Sequence, residues 1–176
     1  MRLKLHIDTQ EEGDPQSPVP PASIEGMKGI FEEELLLLYP EASDYDETEF
    51  SVSLLDSAEM LEINKEHRGV DAPTDVLSFP LWEEDGRFVP KSAATGLLPL
   101  GDVLICPEET MKTHVTRSPE SAICLVLAHG FLHLLAWDHD TEEKEQTMWE
   151  QQERISARLL DSLTVSASRA TTGGEG

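Results

Sequence analysis

The chain has 176 residues, and its 13 Lys and Arg against 35 Asp and Glu give a formal net charge of −22. This length fits one domain, and a hydrophobic share of 39% excludes a chain that is disordered throughout. The electrostatic field of so negative a protein repels the phosphodiester groups of nucleic acids. The surface as a whole therefore cannot bind nucleic acid, and any such function must rest on a local site.

The first half of the chain predicts strands and helices in alternation. Residues 3–7 alternate between apolar and polar, as in a half-buried strand, and Pro40 stops a helix that Ser23 caps. The predicted elements are a strand at residues 3–7, a loop at Thr9–Pro21, a helix from Ser23 to Tyr39, a strand at Phe50–Leu55 and a helix at Ser57–Glu66.

The second half predicts two short strands, a buried helix and a final helix. Ser118 and Pro119 form a strong helix start, and the residues that follow are nearly all apolar, so this helix should be central. The predicted elements are inner strands at Val76–Phe79 and Val103–Ile105, a loose surface hairpin at Trp82–Pro99, the central helix at Pro119–Leu135, a capping box at Asp140–Glu143 and a last helix to Leu163. One domain is expected over residues 1–164, followed by a disordered tail at 165–176.

Nothing in the sequence predicts export or membrane insertion. Residues 1–10 turn polar without an apolar run, and the most apolar stretch, Ile123–Trp137, is too short to span a bilayer. Cys106 and Cys124 stand alone, so we expect buried free thiols rather than a disulfide framework. The expectation is a soluble, cytoplasmic protein.

Three of the six histidines fall close together in the sequence, as His129, His133 and His139. The first two are four residues apart on the central helix, so both imidazoles project from one face. His139 can join them only if the chain turns after Leu135, and the helix start predicted at Asp140 supplies that break. Histidines packed in a core are the alternative, but three at this spacing favour a metal site.

Three neutral imidazoles leave one tetrahedral position open, which is typical of a catalytic zinc. Nickel, copper, cobalt and iron also accept imidazole, although such ligand sets suit zinc best among the abundant ions. A metal of this kind activates water for hydrolysis near neutral pH. The H-E-x-x-H peptidases place a general base directly after the first histidine, where this chain has Gly130, so a peptidase is disfavoured.

A second polar cluster, Asn64–Pro80, runs from a helix end through a Gly/Pro turn into a buried strand. Arg68 offers a planar fork of donors suited to phosphate, with an ion pair to a carboxylate as an equal alternative. Asp75 is expected to cap a turn, and Ser78 to be either an exposed hydroxyl or a structural hydrogen bond. Asp138 is expected either to orient a ligand imidazole or to cap its own turn.

Four segments stand in a distinctive order along the chain. They are Asn-x-x-x-Arg at 64–68, Pro-Thr-Asp-Val-Leu-Ser-Phe-Pro at 73–80, Leu-Gly-Asp-Val-x-Ile at 100–105 and His-Gly-x-Leu-His-Leu-x-x-x-Asp-His at 129–139. Together they resemble the YbeY family, bacterial zinc-dependent endoribonucleases linked to ribosomal RNA maturation and ribosome quality control. The resemblance extends from about residue 3 to residue 160.

The resemblance implies an α+β fold, in which a small mixed sheet packs with several helices and the central helix carries two metal ligands. It further implies that His129, His133 and His139 bind one zinc ion per chain and that Arg68 engages RNA phosphate beside it. The implied reaction is hydrolysis of single-stranded RNA, with ribosomal RNA and ribosome-associated proteins as partners. The alternatives are an RNA-processing factor with a mainly structural zinc and a metallohydrolase of another substrate class.

Two residues near the third histidine depart from the family pattern. Ala136 stands where the family usually has Gly, and a left-handed conformation there would cost Ala on the order of 1 kcal/mol more than Gly. Trp137 replaces the usual Tyr, which keeps the aromatic ring and loses the hydroxyl. The exchange at Ala136 is expected to be tolerated and to loosen the loop.

Overall fold

The computed structural model describes residues 2–8, 21–91 and 96–172. These ranges contain six strands, five α-helices and one 3-10 helix. In chain order they are β1 (Arg2–Asp8), α1 (Pro21–Leu38), the 3-10 helix (Pro40–Asp44), β2 (Glu47–Leu54), α2 (Ser57–Arg68), β3 (Val76–Pro80), β4 (Glu83–Glu84), β5 (Arg87–Phe88), β6 (Leu97–Ile105), α3 (Pro107–Thr113), α4 (Pro119–Leu134) and α5 (Glu142–Thr172).

Four strands form the main sheet, in the order β1-β2-β6-β3. β1, β2 and β6 are parallel neighbours, whereas β3 runs antiparallel to β6 at one edge. β4 and β5 make a separate two-stranded hairpin. The predicted α+β fold, a small mixed sheet packed with helices, is therefore confirmed.

A bulge in β6 explains the Leu-Gly-Asp-Val segment. The pairing of β2 with β6 changes register after Glu49, so that Leu100 is the extra residue, and its side chain is fully buried. Gly101 has a φ of 132°, and a Cβ there would lie 2.1 Å from the carbonyl oxygen of Phe79. Glycine is therefore required where β3 and β6 approach each other.

Helix α4 is central, as its apolar sequence predicts. The Ser118 hydroxyl accepts a first-turn backbone N–H at 3.3 Å, and Pro119 opens the helix. Eleven of the 16 helical residues are buried. Phe131 packs against Phe31 of α1 and Phe50 of β2, with ring centroids 4.8 and 5.7 Å away. These contacts fix the end of α4 that carries the histidines on the sheet.

Some predicted boundaries in the first half are wrong. α1 begins at Pro21 rather than after a Ser23 cap, because proline is well suited to the first helical position. α2 continues to Arg68, two residues past its predicted end, and Gly69 ends it in a left-handed conformation with a φ of 71°. Residues 9–20 of the predicted loop lie outside the described residues.

The second half also differs from prediction around β6. This strand starts at Leu97 rather than at Val103, because the bulge lets the earlier residues pair with β2. The predicted hairpin at Trp82–Pro99 accordingly contains β4, β5 and the start of β6. The short helix α3, opened by Pro107, was not predicted. Cys106 and Cys124 are buried free thiols, as expected.

The last helix differs from prediction at both ends. Thr141 caps it, since its hydroxyl accepts a first-turn backbone N–H at 3.3 Å, whereas the capping box was predicted to open at Asp140. The helix continues to Thr172, into the tail predicted as disordered at 165–176. The sequence contains no Gly or Pro in this stretch before Gly173, so nothing local ends the helix earlier. The domain boundary at residue 164 stays a prediction.

A buried carboxylate joins helices α1 and α5. The Glu34 side chain has no exposed surface and accepts hydrogen bonds from Arg154, at 2.5 and 2.6 Å, and from Arg158. Burial by itself would raise the pKa of Glu34, but the two guanidinium groups hold that pKa below its ordinary value of 4.5. The two guanidinium groups stabilise the negative charge of a carboxylate that water does not reach.

We expect Glu34→Gln to lower the free energy of unfolding by about 3 kcal/mol near pH 7, because it leaves two guanidinium groups without their buried partner. Since the pKa of Glu34 is depressed in the folded state, its contribution is full above the ordinary value of 4.5 and is lost as the pH falls through the lower folded value. Urea unfolding at neutral and at acidic pH measures both effects, and the difference between the two proteins should shrink in acid.

The matched control is Glu33→Gln, which removes a carboxylate that is 68% exposed and also pairs with Arg158. An exposed pair contributes little, so this change should cost less than about 1 kcal/mol. Equal losses of stability from the two variants would contradict a special role for the buried carboxylate.

Candidate metal centre

Three imidazoles converge at the C-terminal end of α4. His129 and His133 lie one turn apart, with their Nε2 atoms 2.9 Å from each other. His139 follows the helix, and its ring centroid lies 5.8 Å from that of His129 and 5.4 Å from that of His133. One nitrogen of each ring lies within 4.8 Å of the other two. The three side chains could therefore hold a single metal ion.

A tight turn brings the third histidine back to the helix. Ala136 adopts a left-handed conformation with a φ of 58°. Its backbone N–H donates to the carbonyl of His133 at 3.0 Å. The backbone N–H of Trp137 donates to the carbonyl of Leu132 at 3.1 Å, which completes the Schellman pattern of a helix C-cap. The chain break that the histidine spacing requires is thus a cap inside the histidine segment itself.

Ala136→Gly should stabilise the metal-free protein by about 1 kcal/mol, because glycine adopts the left-handed conformation without the clash that a Cβ causes. Urea unfolding measures this change. Ala157→Gly, at an exposed position within α5, is the matched control and should destabilise by about the same amount, since glycine is a poor helix former. If both variants lost stability equally, Ala136 would not be a strained position.

Burial keeps the two helical histidines neutral. It lowers the pKa of His129, although the hydrogen bond with Gln152 opposes part of this effect. Burial, followed by the two neighbouring imidazoles, lowers the pKa of His133 to about 4. Near neutral pH both rings are therefore in the form that binds a metal ion.

Gln152 on α5 is a site residue that the sequence did not reveal. Its Oε1 atom lies 2.8 Å from Nδ1 of His129, so it accepts that N–H and leaves Nε2 of the ring facing the cluster. Orienting an imidazole thus falls to Gln152. Asp138 takes the other predicted role, because its carboxylate accepts the backbone N–H of His139 at 2.8 Å and caps the turn. A helix rich in Glu, Gln and Arg gives no local signal that singles out one glutamine.

The histidine cluster lies in an open cleft of about 400 Å³, and Arg68 lines the same cleft. Arg68 is the last residue of α2, and its guanidinium lies 3.5 Å from the carbonyl oxygen of Ser78. Among the residues that the structure describes, no carboxylate lies within ion-pair distance of this exposed arginine. The ion pair, one of the two predicted alternatives for Arg68, is therefore not seen among the described residues, and a contact with a phosphate stays a prediction.

The remaining polar residues of the second cluster have structural contacts. The Asp75 carboxylate accepts the backbone N–H of Val76 at 2.9 Å and lies 3.5 Å from Nε2 of His114. It is therefore a cap at the start of β3, as predicted. The Ser78 hydroxyl donates to the carbonyl of Gly130 at 3.3 Å, which is the structural one of its two predicted roles.

Packing explains why no glutamate follows the first histidine. A Cβ at Gly130 would lie 2.5 Å from Cγ1 of Val103, so α4 reaches the sheet only with glycine at this position. The place that a general base occupies in the H-E-x-x-H peptidases is closed here by β6. Peptidase chemistry therefore remains disfavoured.

The fold and the site define an α+β protein with a candidate metal-dependent hydrolytic centre. A mixed sheet supports the helix that carries two of the three histidines, and an arginine lines the same cleft. The family model for endoribonuclease YbeY matches residues 21–160. This chain belongs to the YbeY family, and the resemblance carried by the four sequence segments is confirmed. In the ranges that the structure covers, no helix is long and apolar enough to cross a membrane.

Relatives and a solved structure agree with this placement. Endoribonuclease YbeY of Caldanaerobacter subterraneus subsp. tengcongensis is 35% identical over 162 residues, which cover 89% of this chain and 98% of the relative. Endoribonuclease YbeY of Salinispora tropica is 42% identical over 126 residues, which cover 69% of this chain and 78% of the relative. The solution structure of TM1509 from Thermotoga maritima matches with a TM-score of 0.58 at 25% identity and covers 98% of this chain and 100% of that one.

Proposed function

We propose that this chain is a zinc-dependent endoribonuclease that hydrolyses phosphodiester bonds of single-stranded RNA in ribosomal RNA maturation and ribosome quality control. His129, His133 and His139 are its zinc ligands, with one ion per chain, and Arg68 is the catalytic residue that engages the phosphate. The observation that carries the proposal is that three converging imidazoles and this arginine line one open cleft. The relatives named Endoribonuclease YbeY support the class of reaction.

The donor set fits zinc in a catalytic arrangement. In the part of the chain that the structure describes, no fourth histidine, cysteine or carboxylate joins the three histidines, so one tetrahedral position is left for water or substrate. Both helical imidazoles are held neutral, as a metal ligand must be. Bound zinc would polarise the phosphate and supply a water molecule activated near neutral pH.

The chain's own residues hold the ligands and neutralise charge. Gln152 fixes the tautomer of His129 so that Nε2 faces the metal position. Arg68 presents two parallel N–H donors that match the two non-bridging oxygens of a phosphodiester. These oxygens gain negative charge in the transition state, so the arginine binds the transition state more strongly than the substrate. A flexible single strand can enter this open cleft more readily than a stiff duplex can.

The proposed setting is the cytoplasm, with ribosomal RNA as the partner and ribosome-associated proteins beside it. The proposed RNA substrate supports this setting. The two cysteines are buried and free, as in proteins of reducing compartments.

Cleavage of a single-stranded ribosomal RNA fragment by tag-free protein tests the proposal, with the metal measured by elemental analysis on the same sample. We expect about one zinc per chain, cleavage that a chelator stops and added zinc restores, and little cleavage of the same RNA annealed to its complement. Products ending in 3′-hydroxyl or in cyclic phosphate would show whether water or the ribose 2′-OH attacks phosphorus. A full complement of zinc without any cleavage would overturn the proposal in favour of a structural zinc.

A further inference from the structure

A second cleft adjoins the metal centre. It also measures about 400 Å³, and it lies between the β4–β5 hairpin, the turn after α4 and the first turns of α5. The two clefts share the residues Gly86, Ala136, Trp137 and Asp138. Trp137 therefore lines both clefts and lies at the boundary between them.

Two basic side chains line the second cleft, in a chain that has only 13. Arg87 comes from β5, and within the described ranges no carboxylate lies at ion-pair distance from it. Lys144 comes from α5 and lies 2.8 Å from the carboxylate of Asp140. That pair is exposed and therefore weak, so a stronger anion can displace the carboxylate.

The charge around the two clefts differs from that of the whole chain. The charged side chains on their walls are three basic ones and three acidic ones, namely Arg68, Arg87, Lys144, Glu83, Asp138 and Glu143. Their sum is zero, whereas the whole chain carries −22. A divalent ion at the histidine cluster would bring the local sum to +2. A polyanion therefore meets less repulsion here than the net charge of the whole chain would imply.

Aromatic and apolar groups complete the second cleft. Phe88 lines it and is held by edge-on packing against Tyr39, with ring centroids 4.8 Å apart. Trp137 is half-buried and packs against the hydrophobic core, so its indole needs little ordering on contact with a ligand. A fixed aromatic ring beside basic side chains suits a nucleobase and its phosphate, because bases stack on such rings and phosphates pair with the cations.

We infer that the second cleft binds one nucleotide of the RNA next to the scissile phosphate, with its base stacked on Trp137 and its phosphate held by Arg87 and Lys144. The inference rests on the proposed endoribonuclease function and names the residues that select an unpaired base. A base inside a duplex is stacked on both faces and cannot reach the indole. Every base has a face that stacks, so this subsite selects single strands without strong preference for sequence.

A cycle of changes in protein and RNA tests the subsite. Abasic nucleotides are placed one at a time on either side of the cleavage site of a single-stranded oligonucleotide. We expect one abasic position to raise KM about tenfold for the wild type, and Trp137→Leu to raise KM about tenfold on intact RNA. With Trp137→Leu acting on the abasic RNA, KM should rise no further than with either change alone, because both changes remove the same stacking contact. Trp137→Phe should recover most of the loss.

Binding of RNA to the second cleft can also be measured without cleavage. Stopped-flow tryptophan emission, recorded before any product forms, should fall when RNA binds the zinc-loaded wild type and should not fall in Trp137→Leu. Trp149→Leu is the matched control, since Trp149 is 54% exposed on α5 and lines neither cleft. Its KM should stay at the wild-type value, and zinc content and urea unfolding of all variants show whether each one is folded.

The outcomes separate the subsite from the proposed function. If the increases in KM caused by the abasic nucleotide and by Trp137→Leu multiply when the two are combined, the two changes act independently. The proposed subsite is then wrong, while endoribonuclease activity stands. If the zinc-loaded wild type cleaves no RNA but its emission still falls through Trp137, the second cleft is a nucleotide-binding site and the proposed endoribonuclease function is wrong. Emission that falls equally in wild type and in Trp137→Leu would overturn the subsite whatever the activity.

Discussion

His133→Ala should remove both the metal and the RNA cleavage of this protein. Nε2 of His133 lies 2.9 Å from Nε2 of His129, and the His133 ring is close to that of His139 as well. Loss of the His133 imidazole leaves two imidazoles that cannot enclose one ion, and metal affinity falls steeply when a ligand is removed. Elemental analysis should show a fall from about one zinc per chain to almost none, and cleavage should drop to that of the chelated wild type.

His6→Ala is the matched control, because His6 is exposed on β1, at the opposite edge of the sheet from β3. It should keep both metal and activity. His139→Ala extends the test to the ligand that follows the turn, and it should also lose its zinc. Full zinc occupancy in His139→Ala would show that two histidines suffice and that the three-ligand arrangement is wrong.

The histidine cluster could be predicted because every part of it is local in sequence. A spacing of four residues on a helix places His129 and His133 on one face, and no long-range contact is needed for that. The turn that returns His139 is encoded by the residues between, through a helix end at which Ala136 takes the left-handed conformation. The central position of α4 follows from a cap and an apolar run, which are also local features.

Contacts between distant segments could not be predicted in the same way. Gln152 meets His129 from 23 residues further along the chain, and Glu34 meets Arg154 from 120 residues away. Neither partner belongs to a short motif, so a single sequence offers nothing that connects them. The early start of β6 was missed for a related reason, since the bulge at Leu100 is defined by pairing with β2 rather than by its own residues.

The strongly acidic composition predicted that any binding of nucleic acid is confined to a local site, and the two adjoining clefts are the candidate for that site. Their walls balance three basic side chains with three acidic ones, although the chain carries 35 acidic residues in all. A repulsive surface around a neutral cleft also disfavours non-specific binding of RNA elsewhere on the protein. The net charge therefore restricts where RNA binds and does not by itself argue against an RNA substrate.

Arg68→Ala should keep the metal and lower kcat for RNA cleavage by about 10² to 10³, because it removes a positive charge from the place where phosphoryl oxygens gain negative charge. The guanidinium lines the histidine cleft, and its contact in the structure is the Ser78 carbonyl oxygen at 3.5 Å. Arg68→Lys should recover only part of the activity, since an ammonium group lacks the planar fork. Steady-state kinetics on single-stranded RNA and elemental analysis of the same samples measure both effects.

Lys65→Ala is the matched control, because Lys65 lies one turn earlier on the same helix, pairs with Asp71 at 2.9 Å and lines neither cleft. It removes the same charge, so a general attraction between this helix and RNA would be weakened equally by either change. If the two variants lose kcat equally, Arg68 contributes only to the general electrostatic attraction between this helix and RNA. If Arg68→Ala loses its zinc, the role of Arg68 is to stabilise the metal site. A loss of kcat confined to Arg68, with zinc retained, is what a direct phosphate contact requires.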